Sequence, residues 1–219
     1  MTETQVRKTR ARSPEDREAE RERLCRVAAR LFVAEGEAGF SMRALAAEAG
    51  CSPMAAYRYF ETKDDLLAAI RARGFRRLAD ALESVAAGDR RRARDIGEAY
   101  VRFADENPAE YRLMFDLSQP DEARYPDLVE ASQQARLGMS KYVREMVEAG
   151  VLAGDPELLG YVFWAAIHGL IVLRLAGRLP KDHDFETLRR TTLGALMRGL
   201  RAGRLRRPRW RPPCPSTGR

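Results

Sequence analysis

Along this chain the apolar positions fall at helical spacing, and no stretch alternates apolar with polar residues long enough to make a strand. Leu24, Val27, Ala28, Leu31 and Phe32 share one face of a first helix. Ser13-Pro14-Glu15-Asp16 opens it: serine caps, proline suits the first helical position, and acids favour the positive helix end. That helix is predicted to run to Glu35-Gly36. Ser41 caps a second, short segment, SMRALAAEAG, which Gly50 ends by offering a left-handed turn position. Ser52-Pro53 starts a third segment reaching Phe60, and Thr62 caps a long amphipathic run from Lys63 to about Ala87.

Beyond that point the same periodicity predicts helices near 92–106, 108–117, 122–149, 156–177 and 184–202. The breaks fall at Asn107-Pro108, Gln119-Pro120, Gly154-Asp155-Pro156 and between Gly177 and Asp184. There is no internal repeat. The expected fold is all-α, with an N-terminal three-helix helix-turn-helix domain and a helical C-terminal domain. The expected boundaries are a disordered basic arm at 1–13, the helix-turn-helix domain at 14–62, the helical body at 63–203, and a disordered Arg/Pro-rich tail at 204–219.

The stretch AEAGCSPMAAYRYFETKDDL, residues 47–66, carries the chemistry. Two short helices joined by a tight turn make a helix-turn-helix. Ala46 is small where the helices must cross, Gly50 supplies the turn, and Leu45, Cys51 and Ala56 form the apolar contacts beneath. The second helix is left to expose Ser52, Ala55, Tyr57, Arg58 and Tyr59. In a DNA major groove such a helix needs little bulk at its centre and hydrogen-bond donors at its edges, where phosphates lie. Tyr57 and Tyr59 carry hydroxyl donors on rigid arms. Lys63 opens the next helix, where backbone amides and positive charge together favour a phosphate.

Charge sharpens this picture. The chain carries 39 basic and 32 acidic side chains, a formal net charge of +7. The segment 201–219 holds seven arginines and no acid, so residues 1–200 balance to zero. Residues 1–78 carry an excess of four positive charges and residues 79–200 an excess of four negative ones. A basic front on an acidic body is the polarity of a protein that faces a polyanion with its N-terminal part. The basic arm, with Arg7, Lys8, Arg10 and Arg12, is either a solvated tail or an added contact to phosphates or the minor groove.

Cys25, Cys51 and Cys214 share no metal-ligand spacing and are odd in number, which fits a reducing cytosol. The N-terminus is charged throughout and shows no leader pattern. The longest apolar run, Leu158 to Leu173, is 16 residues, short of the roughly 20 that a membrane span requires, and reads as a buried helix. A cytoplasmic protein with no membrane partner is expected. With two histidines, no metal-ligand pair and no glycine-rich phosphate loop, the chain is not expected to be an enzyme or to carry a metal or cofactor.

SMRALAAEAGCSPMAAYRYFETKDDLL, following LFVAEGEAGF, closely resembles the DNA-binding domain of the TetR family of bacterial transcriptional regulators. The resemblance covers about residues 20–70, with Gly36, Gly39-Phe40-Ser41, Ala46 to Gly50, Tyr57, Tyr59-Phe60 and Lys63-Asp64-Asp65-Leu66 in register. It implies that Ser41, Ser52, Tyr57, Tyr59 and Lys63 touch phosphates, and that Arg43, Pro53, Met54 and Ala55 face bases. Cys51 and Ala56 depart from the larger aliphatics usual in the family, and Met54-Ala55 leaves few polar base readers. NPAEYRLMFDL (107–117) with FWAAIHGLIVL (163–173) resembles the family's Trp-His-Gly type of C-terminal domain, here Trp164, His168 and Gly169. In such regulators the body holds an effector pocket and the last two helices pair with a second subunit.

Tyr100, Phe103, Tyr111, Met114, Phe115, Met139, Tyr142, Met146 and Trp164 form the candidate pocket lining, with His168 one turn from Trp164. Aromatics and methionines at helical spacing are equally the makings of an ordinary core. Few charges appear in this set, so a small, largely apolar effector is expected, oriented by His168 and Tyr111 or Tyr142. The reading is a homodimeric repressor on a palindromic double-stranded operator. The alternative is a helix-turn-helix protein with no small-molecule effector, constitutive or controlled by a protein partner.

Overall fold

The computed structural model of the chain describes residues 13–85, 92–116, 121–180 and 182–201. The basic arm up to Arg12, the tail at 204–219 and Cys214 lie outside these residues, as do the expected helix ends at 86–87 and 117. Among the described residues the ordered elements are helices, with no strand beyond an isolated bridge between Leu152 and Arg201. In chain order they are α1 (Pro14–Gly39), α2 (Met42–Glu48), α3 (Pro53–Tyr57), α4 (Lys63–Glu83), α5 (Arg92–Glu106), α6 (Pro108–Met114), α7 (Pro126–Glu148), α8 (Pro156–Leu175) and α9 (Phe185–Gly199). The all-α expectation holds.

Local chemistry explains the ends. Ser13 and Asp16 form a reciprocal capping box at the start of α1, with bonds of 3.1 and 3.2 Å. Gly36 interrupts α1 at φ 68°, ψ −177°, a conformation open in practice only to glycine. The helix expected over 122–149 starts later. Glu122–Arg124 makes a single 3-10 turn and α7 begins at Pro126, because a residue before proline is pushed out of the helical region. The expected third helix also ends early, at Tyr57 instead of Phe60: Tyr59 N–H bonds to Ala56 O at 3.0 Å, a tighter turn than an α-helix allows.

The described residues fall into two compact units whose membership does not follow chain order. The first contains residues up to Leu78 together with Glu106–Gln134; the second contains Ala79–Asp105 and the residues from Ala135 on. Helices α4 and α7 contribute to both. This differs from the expected boundary at residue 62, and α6 is the reason. Leu113 of α6 is buried in one cluster with Leu24, Ala28, Phe32, Leu45, Ala56, Phe60 and Leu66. Glu110, also on α6, is buried against two arginines of α4: its Oε2 accepts from Arg77 at 2.7 Å and its Oε1 is 3.1 Å from Arg73. Gly74 permits the approach, since a Cβ there would lie 2.5 Å from Met114 Sδ.

In the second unit, Val143 of α7, Leu152 and Leu159 and Phe163 of α8 form a buried cluster. Leu193, Leu196 and Met197 of α9 pack against it. Gly160 brings α8 close to α7, where a Cβ would be 2.8 Å from Ser140 Oγ. The expectation that 158–173 is buried holds for one face only. Leu159, Phe163, Ile167 and Ile171 are buried, but Leu158 is 61% exposed, and Tyr161, Val172 and Leu173 are also exposed. By length and composition alone α8 is apolar enough to cross a membrane. Two-faced apolarity defeats the inference from hydropathy to burial: the run has no polar side to mark where the core ends.

Removing one partner of a buried ion pair strands the other. Arg73 is 16% exposed and suffers most, whereas water screens Arg77, which is 42% exposed. Glu110→Gln is expected to destabilise the protein by about 2–3 kcal/mol, somewhat below the usual cost of breaking a fully buried pair. Urea unfolding of the variant beside the parent protein measures it, and a loss under about 1 kcal/mol contradicts the buried pair's structural role.

Candidate functional site

Helices α2 and α3 are joined by a turn in which Gly50 takes φ 65° and Cys51 N–H bonds to Ala46 O at 2.9 Å. Leu45, Ala46 and Ala56 are all at most 1% exposed, so small side chains do permit the close crossing. Cys51 is partly buried against the same cluster. Ser41 and Ser52 cap α2 and α3, accepting from Ala44 N–H at 3.1 Å and Ala55 N–H at 3.2 Å. Each hydroxyl keeps its own proton as a donor. Thr62 and Asp65 form a second reciprocal box at the start of α4, at 2.9 and 3.0 Å.

With α3 fixed in this way, most of the expected residues stand at the surface of the first unit. Ser41, Arg43, Ser52, Pro53, Met54, Tyr57 and Arg58 are exposed, Met54 at 74% and Tyr57 at 45%. Ala55, Tyr59 and Lys63 are half-buried. The Lys63 ammonium sits 5.6 Å from the centre of the Phe40 ring, at the positive end of α4. Arg58 and Tyr59 line a surface recess with Pro14, Arg17, Glu18 and Arg21 of α1. Arg17 and Arg21 were not anticipated. Their spacing of four puts them on one helical face, which is the signal that would have found them.

The second unit holds a cavity of about 470 Å³, within the range of small-molecule sites. Tyr100, Tyr142, Phe163 and Trp164 supply aromatic walls, and Met139, Ile167, Leu193 and Met197 complete the apolar surface. Trp164 Nε1 donates to the Tyr100 hydroxyl at 2.9 Å, which fixes the indole against α5. Burial pushes the Tyr142 hydroxyl up from its ordinary range. One side of the lining is charged, with Arg94, Glu186, Arg189 and Arg190. Arg189 is 5% exposed and donates through Nε and Nη2 to both oxygens of Glu186, each at 2.8 Å. Its Nη2 is also 3.7 Å from Glu98, which Arg94 engages at 2.6 Å. The hydrogen bond from Arg189 is the main reason the Glu186 carboxyl lies below its ordinary value. Gly97 of α5 lies against the guanidinium, a Cβ there being 3.4 Å from Arg189 Nη1.

Of the expected lining, Tyr100, Met139, Tyr142 and Trp164 meet at this cavity. Six others do not line it. Tyr111, Met114 and Phe115 belong to the first unit, where Phe115 packs on Phe75 and Tyr111 and Met114 fills the space over Gly74. Phe103 is buried at 4%, and Met146 packs against the Val143 cluster. His168 is half-buried with its ring centre 5.8 Å from Trp164, and burial pulls its pKa down. Aromatic and methionine content cannot separate a filled core from a cavity wall, hence the over-assignment. The four charged residues were missed because charge at helical spacing reads as a solvated face. Among the described residues no cluster of His, Cys, Asp or Glu could hold a metal ion.

Residues 24–70 match the family described as "Bacterial regulatory proteins, tetR family", and residues 93–196 match "Tetracyclin repressor-like, C-terminal domain". No functionally curated protein matches the chain. Among solved structures, a Rhodococcus sp. RHA1 protein of unknown function is 28% identical, covering 83% of this chain and 94% of its own, with a TM-score of 0.69. The TetR family transcriptional regulator PfmR from Thermus thermophilus is 26% identical, covering 81% and 98%, with a TM-score of 0.66. A TetR family transcription regulator from Marinobacter aquaeolei VT8, at 20% identity, covers 86% and 98% with a TM-score of 0.67 and shares the fold.

The α2–α3 crossing makes a direct test of packing. Ala56→Leu is expected to cost about 1–3 kcal/mol by overpacking a fully buried position. Met54→Ala, at an exposed position, is expected to stay within about 0.5 kcal/mol of the parent. Equal thermal shifts for the two variants would contradict the geometry described.

Proposed function

The chain belongs to the TetR family of bacterial transcriptional regulators, and from that premise we propose that it is a cytoplasmic homodimeric repressor, bound to a palindromic operator and released by a small molecule entering the α5–α7–α8–α9 cavity. The family is one of helix-turn-helix DNA-binding proteins, not enzymes. The observation that carries the reading is the α3 face. Pro53, Met54 and Tyr57 stand exposed on a five-residue helix whose buried side is a single alanine, and its caps Ser52 and Arg58 are exposed beside them.

On this reading Ser41, Ser52, Tyr57, Tyr59, Arg58 and Lys63 grip phosphates at the groove edges, and Arg43 with the Pro53–Ala55 face meets the bases. The recess formed with Arg17 and Arg21 adds a positive flank. The uncovered stripe of α8, Leu158, Tyr161, Val172 and Leu173, supports pairing through α8 and α9 with a second copy, whose two-fold symmetry matches a palindrome. An effector acts by binding better to the conformer whose two heads are wrongly spaced for DNA. Helix α4 is the proposed carrier, because it starts just after the recognition helix and ends in the unit that holds the cavity.

Selecting bound sequences from a random DNA pool at stated salt supplies the operator. Against it, Lys63→Ala is expected to weaken all sequences alike and to reduce the salt slope by about 1, since phosphate contacts carry no base information. Arg43→Ala is expected instead to relax the preference at one guanine by about 1–3 kcal/mol. Unchanged base preferences in Arg43→Ala would remove that residue from the reading set.

Leu158→Glu places a charge on the most exposed apolar residue of the proposed seam, near the start of α8. Sedimentation at micromolar concentration is expected to show a monomer, and operator affinity is expected to fall while half-site affinity persists. A dimeric Leu158→Glu protein with normal operator binding would move the interface elsewhere.

A further inference from the structure

A guanidinium placed inside a cavity must have an acceptor, because burying an unpaired charge is prohibitive. Arg189 is such a group: it is 5% exposed and lines the cavity. Its present acceptor is Glu186, the residue three positions earlier on the same helix, whose side chain is 53% exposed. The pair is therefore lopsided. The cation is buried on α9, whereas the carboxylate lies half in water, so leaving it exposed costs far less than leaving the cation unpaired. Around it the charges do not cancel. Arg94, Arg189 and Arg190 face Glu186 and Glu98, an excess of one positive charge at the edge of an otherwise apolar cavity.

Resting on the proposal that this cavity is the effector site, we propose that the effector is an amphipathic monocarboxylate, with its apolar body among Tyr100, Tyr142, Phe163 and Trp164 and its carboxylate replacing that of Glu186 on Arg189. Glu186 thus acts as an internal stand-in for the ligand's head group. The fork of Nε and Nη2 already holds two oxygens of one planar carboxylate at 2.8 Å each, a geometry that an incoming carboxylate reproduces without rearranging the arginine. A phosphate monoester brings two negative charges to an excess of one, and an alcohol or amine offers no two-oxygen acceptor. The displaced Glu186 remains beside Arg190 and Arg94, which lessens the loss on exchange.

The test uses the full-length protein carrying Trp210→Phe, so that fluorescence reports Trp164, the other of the two tryptophans. Decanoate and naphthylacetate are titrated against decanol and naphthaleneethanol. Each acid is expected to bind about tenfold or more tightly than its alcohol, the discrimination a charge-assisted bond readily provides. Glu186→Gln removes the competing carboxylate from an exposed position and is expected to raise the acid-to-alcohol affinity ratio a further threefold or so. Arg189→Gln is expected to erase the ratio. Equal affinities for acid and alcohol, no binding of either acid at millimolar concentration, or a ratio that falls in Glu186→Gln overturns the proposal. Operator release is measured separately. Acid binding without release defeats the regulatory reading and leaves this one standing, whereas release by acid and alcohol alike at equal affinity does the reverse.

Discussion

A helix of five residues has no stability of its own, because nucleating its first turn fixes more backbone than its few hydrogen bonds repay. Helix α3, Pro53–Tyr57, exists only because everything around it compels it to. Proline presets the first residue, Ser52 takes up an orphan amide, and Gly50 supplies the reversal that α2 needs to meet it. Ala46 and Ala56 then let the two backbones close on each other above Leu45. The remainder of the first unit supplies the floor for this crossing, from Leu24 of α1 to Leu66 of α4. A helix whose only fully buried residue is an alanine leaves Pro53, Met54 and Tyr57 at the surface, open to a partner.

The second unit is built under the opposite constraint. Here the chain has more apolar surface than its own core can use, so α8 shows Leu158, Val172 and Leu173 outward while Phe163 and Ile167 face inward. The aromatic side chains Tyr100, Tyr142, Phe163 and Trp164 ring the cavity beside the α8 interior. Its charged edge is where the helix pattern turns from apolar to polar at the start of α9, and Arg189 falls on the wrong side of that line.

How much of this could be read from residues alone depended on whether a position's role is local. Caps, turns and helix faces are decided within four or five residues, so Ser13, Ser41, Gly50 and Ser52 lay where their neighbours required. The exposed residues of α3 follow from the same local logic. Cavity walls do not, because they are set by residues far apart in the chain. Trp164 of the Trp-His-Gly resemblance reached the cavity, but His168 one turn on did not, though both sit on one helical face. Tyr111 and Phe115 share the composition of a pocket wall and instead pack with Phe75 in the first unit. Arg189 was invisible for a simpler reason: nothing in its local sequence marks it as buried, and only the fold places it, like Arg71, away from solvent.

The interleaving of the two units reaches into how the protein is made. Leu113 completes the cluster beneath the helix-turn-helix, and Glu110 neutralises Arg73 and Arg77 on α4. A nascent chain that has emerged only as far as α4 therefore has a hole where Leu113 belongs and two arginines without their counter-charge. At a synthesis rate of roughly 5–20 residues per second, the reading head waits several seconds, through the whole of α5, before its floor can close. The helix-turn-helix therefore reaches its full packing only after α6 has left the ribosome, later in synthesis than its own helices.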